Sequence, residues 1–355
     1  MKVVLLAAGE GKRLRPATLS RPKPLLPIAG ATLLDFHISS LKKSYQDLSL
    51  VVSYKKELFN PYKELGIKVI DQGIPLGTGH AVKILEGRVK GDFLLVYSDV
   101  YFPPKFDEEL LTMADGYDHV VAVTPVSEPW EYGVVHVEDG LLKRIIEKPR
   151  RGEEPSNLIV AGAFLLSETI FDHLKEIGPS PRGEMELTDA ITLAAEKGEK
   201  VLIVEISPWV DAGRLKDFLY AQKLLLYDII SGKRQIPSDL RLEEDILLDC
   251  DISLESVEIK GPVVIGPSVK VTDSYVGPNT YLEGSCKISD SEITGSIIMA
   301  GSLVADSKLT NSIVADNSKI DRTSANEIIV APNTEVIGCE LESGAKIWEN
   351  VRCLI

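Results

Sequence analysis

The chain has 355 residues, more than one hydrophobic core usually organises, so two domains are expected. With 44% hydrophobic and 26% charged residues, its composition is that of an ordinary soluble globular protein rather than a disordered or fibrous one. The formal net charge of −14 excludes general affinity for nucleic acid or anionic membrane, because a global negative field repels both.

The chain opens MKVVLLAAGEGKR, whose apolar run of about six residues is too short for a signal-peptide core or a membrane span, and this predicts a cytoplasmic protein. Short apolar runs then alternate with amphipathic stretches. Val3 to Ala7, Leu48 to Ser53, Lys68 to Ile70, Phe93 to Tyr97, Val120 to Thr124 and Val201 to Val204 read as strands. Leu33 to Lys43, Gly79 to Glu86, Leu187 to Glu196 and Leu215 to Ile230 read as helices. That alternation predicts an α/β fold with a mostly parallel, doubly wound, Rossmann-like sheet, whose ligands collect beyond the carboxyl ends of its strands.

Ser231 to Pro237 is a polar connection, and it places a domain boundary at residue 235. Beyond it, branched apolar residues recur six apart: Ile265 and Val271; Val276, Leu282 and Ile288; Ile298 and Val304; Val314 and Ile320; Val330 and Val336; Leu341 and Ile347. A sustained six-residue period with Gly, Asn and Ser in the turns predicts a parallel β-helix over residues 236–355. An antiparallel sandwich, with period-two strands at irregular spacing, is the alternative. The four cysteines all lie in the last third and form no Cys-x-x-Cys pair, so they are expected to be small buried hydrophobes, although a thermophilic source, suggested by scarce Gln and abundant Lys and Glu, would permit a disulfide.

The chemistry concentrates near the amino terminus. Directly after the first strand comes Leu5-Leu6-Ala7-Ala8-Gly9-Glu10-Gly11-Lys12-Arg13-Leu14-Arg15-Pro16, where small residues let the backbone approach a nucleotide and its N–H groups face phosphate. Within twelve positions Lys12, Arg13, Arg15, Arg21 and Lys23 supply five cations in an otherwise acidic protein. The string is neither a Rossmann G-x-G-x-x-G nor a P-loop, and a glycine-rich turn with solvated charges would look alike.

The longer string, Gly9-x-Gly11-x-Arg13-Leu14-x-Pro16 followed by Arg21-Pro22-Lys23-Pro24-Leu25-Leu26-Pro27, resembles the signature of sugar-1-phosphate nucleotidylyltransferases. Further matches follow in the family's order: Val69 to Val82, Val96 to Asp99, Tyr132 to Val135, Ile146 to Pro149, Gly183 to Ala190 and Trp209 to Gly213. The tail resembles that of the long form of glucose-1-phosphate thymidylyltransferase, which implies a left-handed β-helix and a homo-oligomer. By this resemblance the catalytic domain is 1–235 and the tail 236–355.

The resemblance also implies site roles. Arg13 would hold the triphosphate and the departing pyrophosphate, and Lys23 would bind near the α-phosphate and the attacking sugar phosphate. Asp99 and Asp211 would hold Mg²⁺. Leu6, Ala7, Ala8, Gly9 and Gly11 would line the nucleotide, with Gln72, Gly77 and Thr78 reading a pyrimidine edge. Gly133, Glu147 and Lys148 would meet the sugar, and Ala161 departs from the family by offering no polar side chain. His80 is expected to be structural, since the nucleophile is already ionised.

The implied activity is nucleotidylyl transfer from dTTP, and also UTP, to a sugar 1-phosphate, with glucose-1-phosphate favoured. Because Leu76-Gly77-Thr78-Gly79-His80-Ala81 is closer to uridylyltransferases acting on N-acetylglucosamine-1-phosphate, that reading stays open. Acetyl transfer by the tail is disfavoured, as His37, His80, His119, His136 and His173 all precede it. A regulatory, non-catalytic subunit is disfavoured by the presence of all four charged site residues. The tail is expected to serve structure or assembly, so truncation near 235 should leave some catalysis.

Overall fold

The computed structural model describes residues 1–237 and 239–353. The chain forms two compact units that interleave in sequence: residues 1–9 with 38–209, and residues 10–37 with the chain from Val210 onward. This division differs from a single cut at 235, because the signature loop and the helix preceding residue 231 pack with the tail.

The first unit is built on nine strands: β1 (Lys2–Ala7), β2 (Asp47–Val52), β3 (Lys68–Asp71), β4 (Phe93–Tyr97), β5 (His119–Pro125), β6 (Gly133–Glu138), β7 (Leu141–Glu147), β8 (Leu158–Leu166) and β9 (Val201–Glu205). Their order in the sheet is β3-β2-β1-β4-β8-β5-β9-β7-β6. Strands β1 to β4 are parallel, with Leu6 opposite both Val51 and Tyr97. Near-continuous apolar runs such as Val3 to Ala7 suit a sheet covered on both faces. Strand β8 runs antiparallel to β4 and β5, and the β6–β7 hairpin adds an antiparallel edge. The sheet is therefore mixed, and these three strands were not singled out by the sequence pattern.

Helices occupy the expected places: α1 (Leu33–Leu41), α2 (Thr78–Lys83), α3 (Leu187–Glu196) and α4 (Leu215–Ile230). In α3, Leu187, Ala190, Ile191 and Ala194 recur at helical spacing and are buried, the first three in a core shared with Phe93, Val121, Phe164 and Phe171. Helix α4, in the second unit, buries Phe218, Ala221, Leu225 and Ile229.

Beyond an antiparallel pair formed by Arg241–Glu243 and Ile246–Leu248, the tail of the second unit is a parallel three-faced β-helix. Ile297 pairs with Ile313 and Lys270 with Lys287, so successive coils advance the chain by 16 or 17 residues, shortening to 15 where Val336 pairs with Val351. Parallel pairing excludes the sandwich. Every residue of the six-residue series is buried except Leu341, which packs partly buried against the same core. Turns place Asp290, Asp306, Asn311, Asn317 and Asn333 at positive φ, which short polar side chains tolerate best. Hydroxyls close the corners: Ser291 N–H donates to Ser274 Oγ, Ser307 N–H to Ser291 Oγ and Thr323 N–H to Ser307 Oγ, at 3.0–3.1 Å. Two further ladders run through Ser296 and Ser312 and through Ser302 and Ser318. Each satisfies an N–H that would otherwise be buried and orphaned.

The cysteine expectation is corrected in part. Cys286 is a buried hydrophobe, whose thiol burial pushes up to about 12, but Cys250 is exposed and Cys339 is bonded to Cys353. The pairing ties the last described coil across 14 residues, a proximity that a sequence separation does not reveal. No helix among the described residues is long and apolar enough to cross a membrane.

Candidate active site

In the first unit, parallel pairing aligns the carboxyl ends of β1 to β4 along one edge. Ala7 lies opposite Val52 and Val52 opposite Asp71. Ser98 continues from β4, its N–H and hydroxyl both donating to Leu6 carbonyl at 3.1 and 2.6 Å. Leu6, Ala7 and Ala8 thus stand beside Gln72 and Asp99 at the mouth where such sheets bind ligands. Leu6 and Ala7 are buried, Ala8 and Asp99 half-buried and Gly9 exposed.

Gln72 is 6% exposed, and its Nε2 lies 3.1 Å from Gly77 carbonyl and 3.1 Å from His80 Nδ1. His80 therefore orients the amide, in keeping with a structural role. Gly77 has φ 108°, and a side chain there would collide with the Met185 backbone. Met185 N–H donates to Leu76 carbonyl at 2.7 Å, and Gly79 N–H donates to Met185 carbonyl at 2.8 Å. Thr78 Oγ1 accepts from Leu187 N–H at 3.1 Å, so the Gly77–Thr78 turn is moulded onto the start of α3.

The β6–β7 hairpin sets Gly133 opposite Glu147. A Cβ on Gly133 would fall 2.9 Å from Glu147 Oε2, so only glycine leaves that carboxylate its room. Arg182 Nη1 joins Glu147 at 3.2 Å and Glu186 at 3.3 Å. Burial pushes both carboxyls above their ordinary range, against the opposing pull of Arg182. Burial likewise raises Asp189. Lys148, at φ 47°, is exposed, and its N–H donates to Tyr132 carbonyl at 2.9 Å. Tyr97, tucked beneath Gly162, hydrogen-bonds Thr78 and feels the charges of Glu147 and Asp99. Arg182 and Tyr97 received no role in the sequence reading: Arg182 precedes a quoted motif by one residue, and Tyr97 lies within one whose aspartate alone was given a role. Ala161 contributes its carbonyl, which accepts from Trp209 Nε1 at 2.7 Å.

The second unit holds Arg13, Lys23 and Asp211. Lys23 Nζ lies 2.9 Å from Asp211 Oδ1 and Arg13 Nη2 lies 3.0 Å from Asp211 Oδ2. Lys23 is 4% exposed, Asp211 14% and Arg13 52%. Burial alone would raise the Asp211 carboxyl, but Lys23 and Arg13 outweigh it and hold the group below its ordinary range. Asp217 is raised instead, by burial and by Asp211. Gly11, at φ 65°, leaves space for Lys23, since a Cβ on it would stand 2.8 Å from the lysine's own.

The five cations near the amino terminus do not act as one group. Arg13 and Lys23 converge on Asp211, whereas Arg15 and Lys12 pair with Glu10, and Arg21 is gripped by Glu283 and Asp316 of the β-helix.

Residues 2–227 match the nucleotidyl transferase family. The chain therefore belongs to that family and is a nucleotidyltransferase. It is 34% identical over 312 residues to the "Bifunctional protein GlmU" of Methanococcus maripaludis strain S2, spanning 86% of this chain and 74% of that protein. With the namesake of strain C7 the match is 39% over 234 residues, 65% of this chain and 56% of that protein. It is 31% identical to the glucose-1-phosphate thymidylyltransferase of Streptomyces griseus over 86% of this chain and 89% of that one. The structure of a putative glucose-1-phosphate thymidylyltransferase from Bacillus anthracis superposes with TM-score 0.56 and 26% identity, covering 63% of this chain and 94% of that one. These relatives and the fold they share place the chain among the sugar-1-phosphate nucleotidylyltransferases.

Proposed function

We propose that the chain transfers a nucleotidyl group from a pyrimidine nucleoside triphosphate, dTTP and also UTP, to a sugar 1-phosphate, glucose-1-phosphate foremost. A sugar phosphate oxygen attacks the α-phosphorus, the bond to the β-phosphate oxygen breaks, and pyrophosphate leaves. The barrier is one of assembling and aligning anions, so fixed cations supply most of the catalysis. The observation that carries this reading is the convergence of Lys23 and Arg13 on a half-buried, ionised Asp211. In this reading Lys23 binds the α-phosphate and the attacking phosphate, while Arg13 steadies the leaving pyrophosphate.

Gln72, with both a donor and an acceptor, reads the base together with the backbone of Gly77 and Thr78. Leu6, Ala7, Ala8, Gly9 and Gly11 leave the backbone open to the nucleotide. Glu147, beside Gly133, accepts from sugar hydroxyls, and Lys148 meets the sugar phosphate. Among the described residues no three His, Cys, Asp or Glu side chains group as a metal site. A partly hydrated Mg²⁺ needs only one or two carboxylates plus phosphate oxygens, and the hard oxygens of Asp99 and the ionised Asp211 fit that demand. The ion, held by these two, would supply charge neutralisation at the phosphates.

In function, residues 1–235 carry the transfer and the β-helix supports a homo-oligomer. A uridylyltransferase acting on N-acetylglucosamine-1-phosphate is the second reading, favoured by the resemblance of Leu76-Gly77-Thr78-Gly79-His80-Ala81 to such enzymes. Thymine and uracil differ by one methyl, worth about 1 kcal/mol in an apolar pocket, so use of both is expected. Pyrophosphate release measured across dTTP, UTP, GTP and ATP against glucose, mannose, N-acetylglucosamine and galactosamine phosphates tests the reading. A preference for GTP would overturn it.

A further inference from the structure

The loop bearing Arg13 and Lys23 has little structure of its own. It consists of three single turns of 3-10 helix, Lys12–Leu14, Ala17–Leu19 and Lys23–Leu25, joined by prolines and short links. Such segments sit at the low-stability end of a fold unless something outside them supplies contacts. The β-helix supplies them. Arg21 Nη1 and Nη2 donate to the two oxygens of Glu283 at 2.7 and 3.2 Å, and Nη2 also bonds Asp316 Oδ1. Glu283 is in turn fixed by the Ala300 N–H at 2.8 Å. A second anchor lies at the last described coils, where Lys346 Nζ donates to Arg13 carbonyl at 2.7 Å.

Three charged groups here are 12–26% exposed. Withdrawing them from water costs several kcal/mol per ion, so such an ion triad is weak grounds for stability and better suited to fixing one geometry. A planar guanidinium on a forked carboxylate restricts both distance and orientation. Burial would lower the guanidinium's pKa, yet the two acids outweigh it and Arg21 stays charged. Arg21 is two residues from Lys23, about 7 Å of chain, so a shift at one end is transmitted to the other.

We propose that the β-helix is a positioning element for the transfer reaction, with Glu283 and Asp316 holding Arg21, and Lys346 holding Arg13, so that the loop presents Arg13 and Lys23 in register. This rests on the reading that those two cations act on the substrate phosphates. The tail thereby gains a role in turnover beyond scaffold or assembly, and Arg21, Glu283, Asp316 and Lys346 become positioning residues.

The test uses the full-length chain and the best substrate pair from the pyrophosphate assay. Glu283→Gln with Asp316→Asn keeps shape and removes charge. It should lower kcat by about tenfold to a hundredfold, the scale of a misplacement near 1 Å, with KM for the triphosphate changed far less and the melting temperature preserved. Arg21→Lys should recover part of what Arg21→Ala loses, and Glu283→Gln should cost little more in the Arg21→Ala background. If the double variant does not fold, Glu283→Gln alone carries the measurement. A folded variant with parental kcat overturns the inference. Loss of activity in Lys23→Ala beside parental kcat in Glu283→Gln overturns this inference alone, whereas an active Lys23→Ala overturns the reading of the site and this inference with it.

Discussion

Gly213 lies so close beneath Arg13 that a Cβ added to it would stand 2.6 Å from Nη2 and 3.0 Å from Asp211 Oδ1. The guanidinium is the far end of a flexible side chain, so Gly213→Ala is expected to displace it at small cost to the fold. Turnover should fall about tenfold or more while the melting temperature moves little. Thermal melts beside pyrophosphate release separate the two effects, and a parental rate would show that Arg13 needs no such space.

Lys23→Ala and Asp99→Asn should each lower kcat by about two orders of magnitude or more with the fold retained. Asp211→Asn is expected to act twice, weakening Mg²⁺ binding and leaving buried Lys23 without this carboxylate. A titration of rate against Mg²⁺ distinguishes the carboxylates from Lys23: both acid variants should need more metal, and Lys23→Ala should not.

Gly77 must stay glycine because its φ of 108° disfavours any L side chain and Met185 occupies the space. Gly77→Ala should push the turn off α3, tilt Gln72 away from its carbonyl partner and raise KM for the triphosphate more than it lowers kcat. An unchanged KM would detach this turn from base recognition.

Stability should fall as pH drops below neutral. His119 accepts from Ser167 N–H at Nδ1 and donates from Nε2 to Glu199, which also meets His173. Burial lowers the His119 pKa below 6.5 in spite of Glu199, so the unfolded chain binds the proton more readily. The stabilisation is complete above 6.5 and is lost as pH falls through the folded value. Glu199, which burial would raise, is held below 4.5 by His173 and His119 and adds a loss of the same sign at lower pH. Melting temperatures from pH 8 to 5 should decline, and less steeply for His119→Gln. A flat profile would remove this network from the account.

Removing one rung of a hydroxyl ladder should be costly. Ser307→Ala leaves Thr323 N–H buried without its acceptor, a loss of about 1–3 kcal/mol. Denaturant midpoints of the two proteins measure it, and equal midpoints would make the ladder ornamental.

Much of this was legible beforehand because the patterns are local. Phe93 to Tyr97 and the two helices at 187–196 and 215–230 appear with the expected bounds, since apolar period and burial coincide there. The six-residue series foretold the β-helix because each coil repeats one inward pattern. The edge hairpin β6–β7 was not foreseen, for its alternation is interrupted by a register shift near Leu142. Nor could spacing reveal that Arg21 is spoken for by Glu283 and Asp316, which lie 262 and 295 residues away. Charge counts assign cations to ligands, and only the fold says which are already taken.

The same separations bear on synthesis. The partners of Arg21 and of the Arg13 carbonyl are synthesised well after residues 10–37, up to 333 residues later. A nascent chain can therefore assemble the sheet of its first unit while the loop bearing Arg13 and Lys23 waits unanchored, a delay set by contact order. Prematurely ended chains would carry every signature motif and still lack the last restraints on the loop that contains two of them.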